Sequence, residues 1–187
     1  MKLYRFLFIV IFLFLCSSET VLAQERAKTL VVYYSRTGNT RKVAKRIAEK
    51  FDADVEELID QKKRTGFIGF SAAGKDALAH NLTTIDALKL NPQDYDVILI
   101  GTPSWFSNMT PAVRTFISQY DLSDKRVGVF ATANKTGVKS TVDKITKIIS
   151  KDDFKNIPKL PLVKKDLEKS LLEERIKEFY AQVISLE

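Results

Sequence analysis

Ser35, Thr37 and Thr40 fall within six residues, interleaved with Arg36, Gly38 and Asn39. Small hydroxyl and amide residues around one glycine let successive backbone N–H groups converge on an anion, while the hydroxyls add further donors. If a helix begins at this point, the positive end of its dipole lies behind the same spot. The chemistry implied is the holding of a phosphate. A Walker loop would end in Gly-Lys-Ser/Thr and a dinucleotide fingerprint would carry three spaced glycines; this segment has one glycine and no lysine. The plainer alternative is a strand-to-helix turn capped by Asn39 or Thr40.

The flanking residues supply the elements that such a turn needs. Leu30-Val31-Val32-Tyr33-Tyr34 is uninterrupted, β-branched or aromatic, and reads as a strand covered on both faces. From Asn39 the period lengthens, and Val43, Ala44, Ile47, Ala48 and Phe51 fall on one helical face. Residues 53–59 predict a more polar strand near a sheet edge. Residues 66–80 predict a short helix ending at His80, the only histidine, whose place suggests a dipole-complementing surface residue and no ligand. Residues 95–100 predict a buried strand, followed by a loop over 102–110 and a helix that Pro111 opens. Residues 127–131 predict the next strand, followed by a loop over 132–137 and a helix buried through Val138, Val142, Ile145 and Ile149. Pro158 and Pro161 confine any strand in residues 154–163 to a sheet edge. The last helix buries Leu172, Ile176, Phe179 and Val183. Strands alternating with helices imply a parallel sheet with right-handed crossovers and a ligand at the strands' carboxyl ends. Three loops then meet there: 35–40, 102–110 and 132–137.

The N-terminus is a separate matter. Lys2 and Arg5 precede an apolar run from Phe6 to Cys16, and Val21-Leu22-Ala23 comes before Gln24. This is a secretory signal pattern with cleavage expected after Ala23, leaving one domain over residues 24–187 in the periplasm or outside the cell. Retention as a membrane anchor is the alternative. Leu15 is too bulky to precede a lipid-modified Cys16. Cys16 is the only cysteine, so the mature domain has no thiol chemistry and no disulfide. Losing Lys2, Arg5 and Glu19 lowers the net charge from +7 to +6. No nucleic-acid motif accompanies that charge, and an anionic membrane surface or an acidic redox partner suits it better. Neither a metal site nor a catalytic acid or base is suggested.

With Gly101-Thr102-Pro103-Ser104-Trp105-Phe106 and Pro111-Ala112-Val113-Arg114-Thr115-Phe116 following the phosphate-type turn in the right order, the chain resembles the flavodoxin-like family, including its quinone-reductase branch, over residues 28–185. The resemblance implies an α/β three-layer sandwich with a five-stranded parallel sheet in the order 2-1-3-4-5, and FMN as cofactor. It places the 5′-phosphate on Ser35, Arg36, Thr37, Gly38, Asn39 and Thr40. It places the isoalloxazine ring against Thr102, Pro103, Ser104, Trp105 and Phe106 and against Thr132, Ala133, Asn134 and Gly137. Trp105 has its own physical case, since an indole in a polar loop offers a flat apolar face.

Departures from the family pattern refine the expectation. Carrier flavodoxins sandwich the ring between aromatics and surround it with acids, whereas here the 132–137 loop has no aromatic, neither flavin loop has Asp or Glu, and Lys135 adds a cation. An oxidoreductase passing electrons to a small acceptor such as a quinone fits this better than a one-electron carrier, and a flavin-free binding domain on the same fold is the third reading. A phospho-acceptor receiver domain is excluded, because Ser35-Arg36 and Gly101 stand where its acids would be. Asn81, Asn108 and Asn134 each begin a glycosylation triplet; the last two lie in the flavin loops, so all three are expected bare.

Overall fold

The computed structural model describes residues 26–62, 76, 79–150 and 156–186. The expected signal segment, residues 1–23, and most of the helix expected over 66–80 lie outside them. Five strands, β1 (Thr29–Tyr33), β2 (Asp54–Glu57), β3 (Val97–Pro103), β4 (Arg126–Ala133) and β5 (Lys159–Val163), form one parallel sheet in the order β2-β1-β3-β4-β5. This is the expected order. Among the described residues four α-helices accompany them: α1 (Asn39–Phe51), α2 (Pro111–Gln119), α3 (Val138–Ser150) and α4 (Lys169–Ile184).

The central strands are apolar on both faces because both faces are covered. Leu30, Val32, Ile98, Ile100, Val127 and Val129 pack with Val113 and Phe116 of α2 and Val142 and Ile145 of α3. The alternate residues Val31, Leu99, Phe130 and Leu160 pack with Val43 and Ile47 of α1 and Ile176 and Phe179 of α4. Each such side chain, removed from water, contributes about 1.5–3 kcal/mol before ordering entropy is subtracted. The proline-bearing β5 occupies one edge, as its prolines require, with Pro161 opposite Ala131.

The other edge strand, β2, is short and half exposed, and polar side chains hold it in place. The Tyr33 hydroxyl donates to Glu57 Oε2 at 3.0 Å and the Tyr95 hydroxyl to Asp54 Oδ2 at 2.8 Å. Buried Glu56 accepts the N–H groups of Lys89 and Leu90, which ties the segment before β3 to this edge.

Two strands run further than their sequence predicts. Thr102 and Pro103 pair with Ala131 and Thr132, and Thr132 and Ala133 pair with Leu162 and Val163. These four residues are therefore strand ends and not loop. Pairing on both sides of β4 outweighs the turn-forming character of Pro103.

Gly101 is set by close approach. It lies opposite Phe130 in the ladder, and a Cβ there would meet the Phe130 ring carbon Cζ at 2.1 Å. Gly101→Ala is expected to destabilise the fold by about 1–3 kcal/mol, with Phe130→Leu restoring part of the loss in denaturant titration. Burial first, and the neighbouring carboxylate second, push the Tyr33 and Tyr95 phenols up from near 10 to about 12. Between those values the unfolded chain loses protons that the fold keeps, so stability falls as pH rises from about 10 to about 12. The double variant Tyr33→Phe/Tyr95→Phe should flatten that decline in alkaline denaturation curves.

Candidate functional site

The phosphate-type turn leaves β1 through Tyr34, whose N–H donates to Gly101 O at 3.1 Å. Ser35 Oγ then accepts two backbone N–H groups, those of Gly38 and Arg41, each at 3.2 Å. A hydroxyl has two lone pairs and one proton; with both lone pairs engaged, Ser35 keeps its O–H as a donor. Gly38, at φ 92°, turns the chain into α1, and a Cβ there would meet nothing, so the requirement is conformational and not one of space. Among the described residues the backbone N–H groups of Thr37, Asn39 and Thr40 and the Thr37 hydroxyl have no protein partner. These are the orphan donors of a helix start, aimed outward. An anion is the group they fit.

Arg41 is kept away from that anion. Its guanidinium forks onto Glu57, Nε to Oε2 at 2.9 Å and Nη2 to Oε1 at 2.6 Å, next to the Tyr33 hydroxyl on the same carboxylate. The clamp fixes the first turn of α1 to the ends of β1 and β2.

A buried pair links the turn to the far side of the sheet: Thr40 Oγ1 lies 2.9 Å from Thr132 Oγ1. Thr132 O in turn accepts the N–H of Ser104 at 2.8 Å. The three loops therefore converge through two hydrogen bonds on one residue at the end of β4.

The middle loop is a tight turn. Trp105 and Asn108 exchange N–H···O bonds of 2.9 and 3.0 Å, and the two residues between them, Phe106 and Ser107, have φ 50° and 58°. Positive φ at both central positions defines a type I′ turn, which ordinarily calls for Asn-Gly. Here α3 holds it in place. Lys144 Nζ donates to Ser107 O at 2.9 Å, Ser104 Oγ bonds Thr141 Oγ1 at 2.7 Å, and Gly137, at φ 89°, leaves room that a Cβ would deny to Ser107 Oγ at 2.8 Å. On the opposite side Asn108 Oδ1 accepts from Met109 N–H at 3.0 Å and from Arg114 Nη2 at 3.1 Å. Arg114 Nε is buried with no hydrogen-bond partner, and burial lowers this group's pKa.

One expectation needs correction. Trp105 does not present its face outward: it is 5% exposed, belongs to the core under α2 and α3, and stands edge-on to Tyr34 at 5.7 Å. The aromatic that projects is Phe106, 56% exposed. Ser35, Arg36, Thr37, Gly38, Asn39 and Thr40 stand together as expected, and Thr102, Pro103 and Ser104 stand beside Thr132, Ala133, Asn134 and Gly137. Asn108 is 1% exposed, leaving no room for a glycan in the fold, whereas Asn134 is exposed. Sequence reasoning missed Thr141, Lys144, Arg114 and the Tyr33, Glu57, Arg41 clamp. Of these only Thr141 left a trace, as a polar residue on the stripe formed by Val138, Val142 and Ile145.

Sheet order, layers and a loop cluster at the carboxyl edge define a doubly wound α/β protein with a crevice at its switch point. Residues 28–180 match the family model described as Flavodoxin, and the chain belongs to that family. Among solved structures it is similar to a flavoprotein of Lactobacillus acidophilus determined in complex with FMN, with 25% identity over 75% of this chain and 96% of that one and a TM-score of 0.59. A candidate flavoprotein of Bacteroides uniformis shares 26% identity over 81% and 98%, with a TM-score of 0.63. Another from Bacteroides eggerthii, at 21% identity and a TM-score of 0.66, covers 84% and 98% and shares the fold.

Ser107 in the left-handed region carries strain that glycine would relieve. Ser107→Gly is expected to stabilise the protein by about 0.5–1 kcal/mol in urea titration, with the turn retained because Lys144 and Trp105 bind its backbone.

Proposed function

We propose that this protein is an exported, FMN-binding oxidoreductase that passes electrons to a small acceptor such as a quinone. The observation that carries the FMN reading is the set of outward donors at the start of α1, built into one cluster with the two other loops through Thr40 and Thr132. Ser35, Thr37, Asn39 and Thr40 would hold the 5′-phosphate by charge-assisted hydrogen bonds, helped by the α1 dipole. Ser104 and Phe106 on one side, and Thr132, Ala133, Asn134 and Gly137 on the other, would flank the ring. Bound FMN supplies the redox chemistry; the protein orients it and sets its surroundings. With Trp105 spent on the core, Phe106 is the aromatic that the described loops offer, which supports a ring left open on one side to a planar acceptor. A quinone taking two electrons and two protons leaves as the hydroquinone, its protons drawn from solvent.

Charge supports the same reading. The reduced cofactor carries negative charge, so carboxylates beside it disfavour reduction and cations favour it; unit charges a few ångströms apart interact by about 4 kcal/mol at an effective dielectric near 20, less after screening. Neither flavin loop offers a carboxylate, while Lys135 lies in one of them and the partly buried Arg114 donates to Asn108 in the other. Export rests on the Phe6 to Ala23 pattern, and N-terminal sequencing of the native protein should begin at Gln24; a chain retaining Met1 in the membrane fraction would mean an anchor.

The purified protein should be yellow with a flavin absorbance band. Potentiometric titration should give a single two-electron step, less negative than in acid-lined flavodoxins and shifted to lower potential by Lys135→Glu. Two well-separated one-electron steps at very low potential would mean a carrier, and a colourless protein that refuses FMN would mean a flavin-free domain.

A further inference from the structure

Among the described residues the charges are sorted by end. At the amino ends of the strands charges of both signs meet: Arg26 pairs with Asp52 at 3.1 Å and Lys125 with Asp124 at 3.3 Å, and Asp96 is engaged by the Lys28 backbone N–H at 2.8 Å. At the carboxyl ends, around the loop cluster, Lys42, Lys135, Lys139, Lys164, Lys165 and Lys169 are all exposed, and among the described residues none has an ion pair or a side-chain hydrogen bond. The acids at that end are engaged or few. Glu57 is clamped by Arg41, Asp166 is buried on the Val163 N–H at 2.8 Å, Asp60 accepts from Lys62 N–H and the Thr83 hydroxyl, and Glu168 stands at the start of α4.

Helix electrostatics work against this layout. Among the described residues none of these four helices has an acid in its first turn, and only α4 has one at its N-cap, Glu168. Lys139 opens α3 and Lys169 opens α4 at the positive end of each dipole, and Lys42 lies one turn into α1, where cations are disfavoured. Local stability does not select such an arrangement. The lysines come from five separate segments, α1, the loop before α3, the start of α3, the turn after β5 and the start of α4, and Lys164 N–H binds Asn134 O at 3.4 Å, joining two of them beside the site. Exposed and spread over separate segments around one edge of the sheet, they suit a broad anionic surface better than a small anion.

We propose that this rim is the docking surface for an acidic redox protein that exchanges electrons with the site it encircles. The proposal rests on the flavin reading above and adds the class of partner. Complementary charge spread over a rim acts mainly on encounter rate and orientation, and is weakened by salt.

The test uses the full chain with a plant-type [2Fe–2S] ferredoxin as acidic probe and a basic mitochondrial cytochrome c as control, with association followed by stopped flow and by biolayer interferometry. Faster association with ferredoxin than with cytochrome c, falling as ionic strength rises, is the expected result. Lys139→Glu/Lys164→Glu/Lys165→Glu should slow ferredoxin association about tenfold or more, while its melting temperature stays level or rises. Equal rates for both probes, a salt-independent ferredoxin rate in the unaltered protein, or an unchanged rate in the variant would overturn the proposal. Association is also read on flavin-free protein. Lysine-dependent ferredoxin binding by a chain that takes up no FMN refutes the flavin reading and leaves the docking surface standing, whereas an FMN-loaded chain indifferent to ferredoxin refutes the docking surface alone.

Discussion

The reversal of strand order about β1 is the constraint on which the rest depends. β1 comes first in the chain and is flanked by β2 on one side and β3 on the other, so the loop leaving it and the loops leaving β3 and β4 open toward one crevice. Right-handed crossovers then place α1 and α4 on one face and α2 and α3 on the other. Helix starts gather where the strands end. A cluster of hydroxyls and free N–H groups at that edge follows from topology, and the residue types at positions 35–40 and 132–137 decide what it holds. The Thr40 and Thr132 hydroxyls join the two sides. Both are buried, so replacing either by an apolar isostere leaves its partner unsatisfied, at about 1–3 kcal/mol.

Stability and function pull apart at this edge. A type I′ turn carried by Phe106 and Ser107 instead of Asn-Gly is held by Lys144, Thr141 and Arg114 from neighbouring helices. Left-handed backbone at non-glycine residues of this kind clusters at binding sites. Phe106 is set outward at the cluster while Trp105, one residue earlier, is buried. The lysines at the helix starts belong to the same pattern, since each opposes a dipole worth about 0.3–1 kcal/mol near the helix end.

Much of this was legible in the sequence. β-branched runs and helical stripes placed the central strands β1, β3 and β4 and the helices α1 to α4, because a two-sided sheet demands uninterrupted apolar strands and one-sided helices, whereas the 3-10 turns Pro92–Asp94 and Lys164–Leu167 left no such pattern. Strand ends were less legible: Pro103 and Ala133 look like loop until ladder pairing on both sides of β4 extends the strand. The Trp105 expectation failed because local polarity does not reveal where the chain doubles back, and the turn at 106–107 sends Trp105 inward against Tyr34. The clamp of Tyr33, Glu57 and Arg41 joins residues on three elements, so spacing alone could not reveal it. Thr141 was the readable exception, a hydroxyl at an apolar position of a helix.

The central claim is that the start of α1 binds the cofactor by its phosphate. Titrating the flavin-free protein with FMN and with riboflavin, with and without Ser35→Ala/Thr37→Val, tests it most directly. Each charge-assisted hydrogen bond lost is worth about 1.5–3 kcal/mol, so the variant should bind FMN at least about a hundredfold more weakly while its riboflavin affinity barely changes. Equal weakening of both ligands would place the phosphate elsewhere and contradict the account.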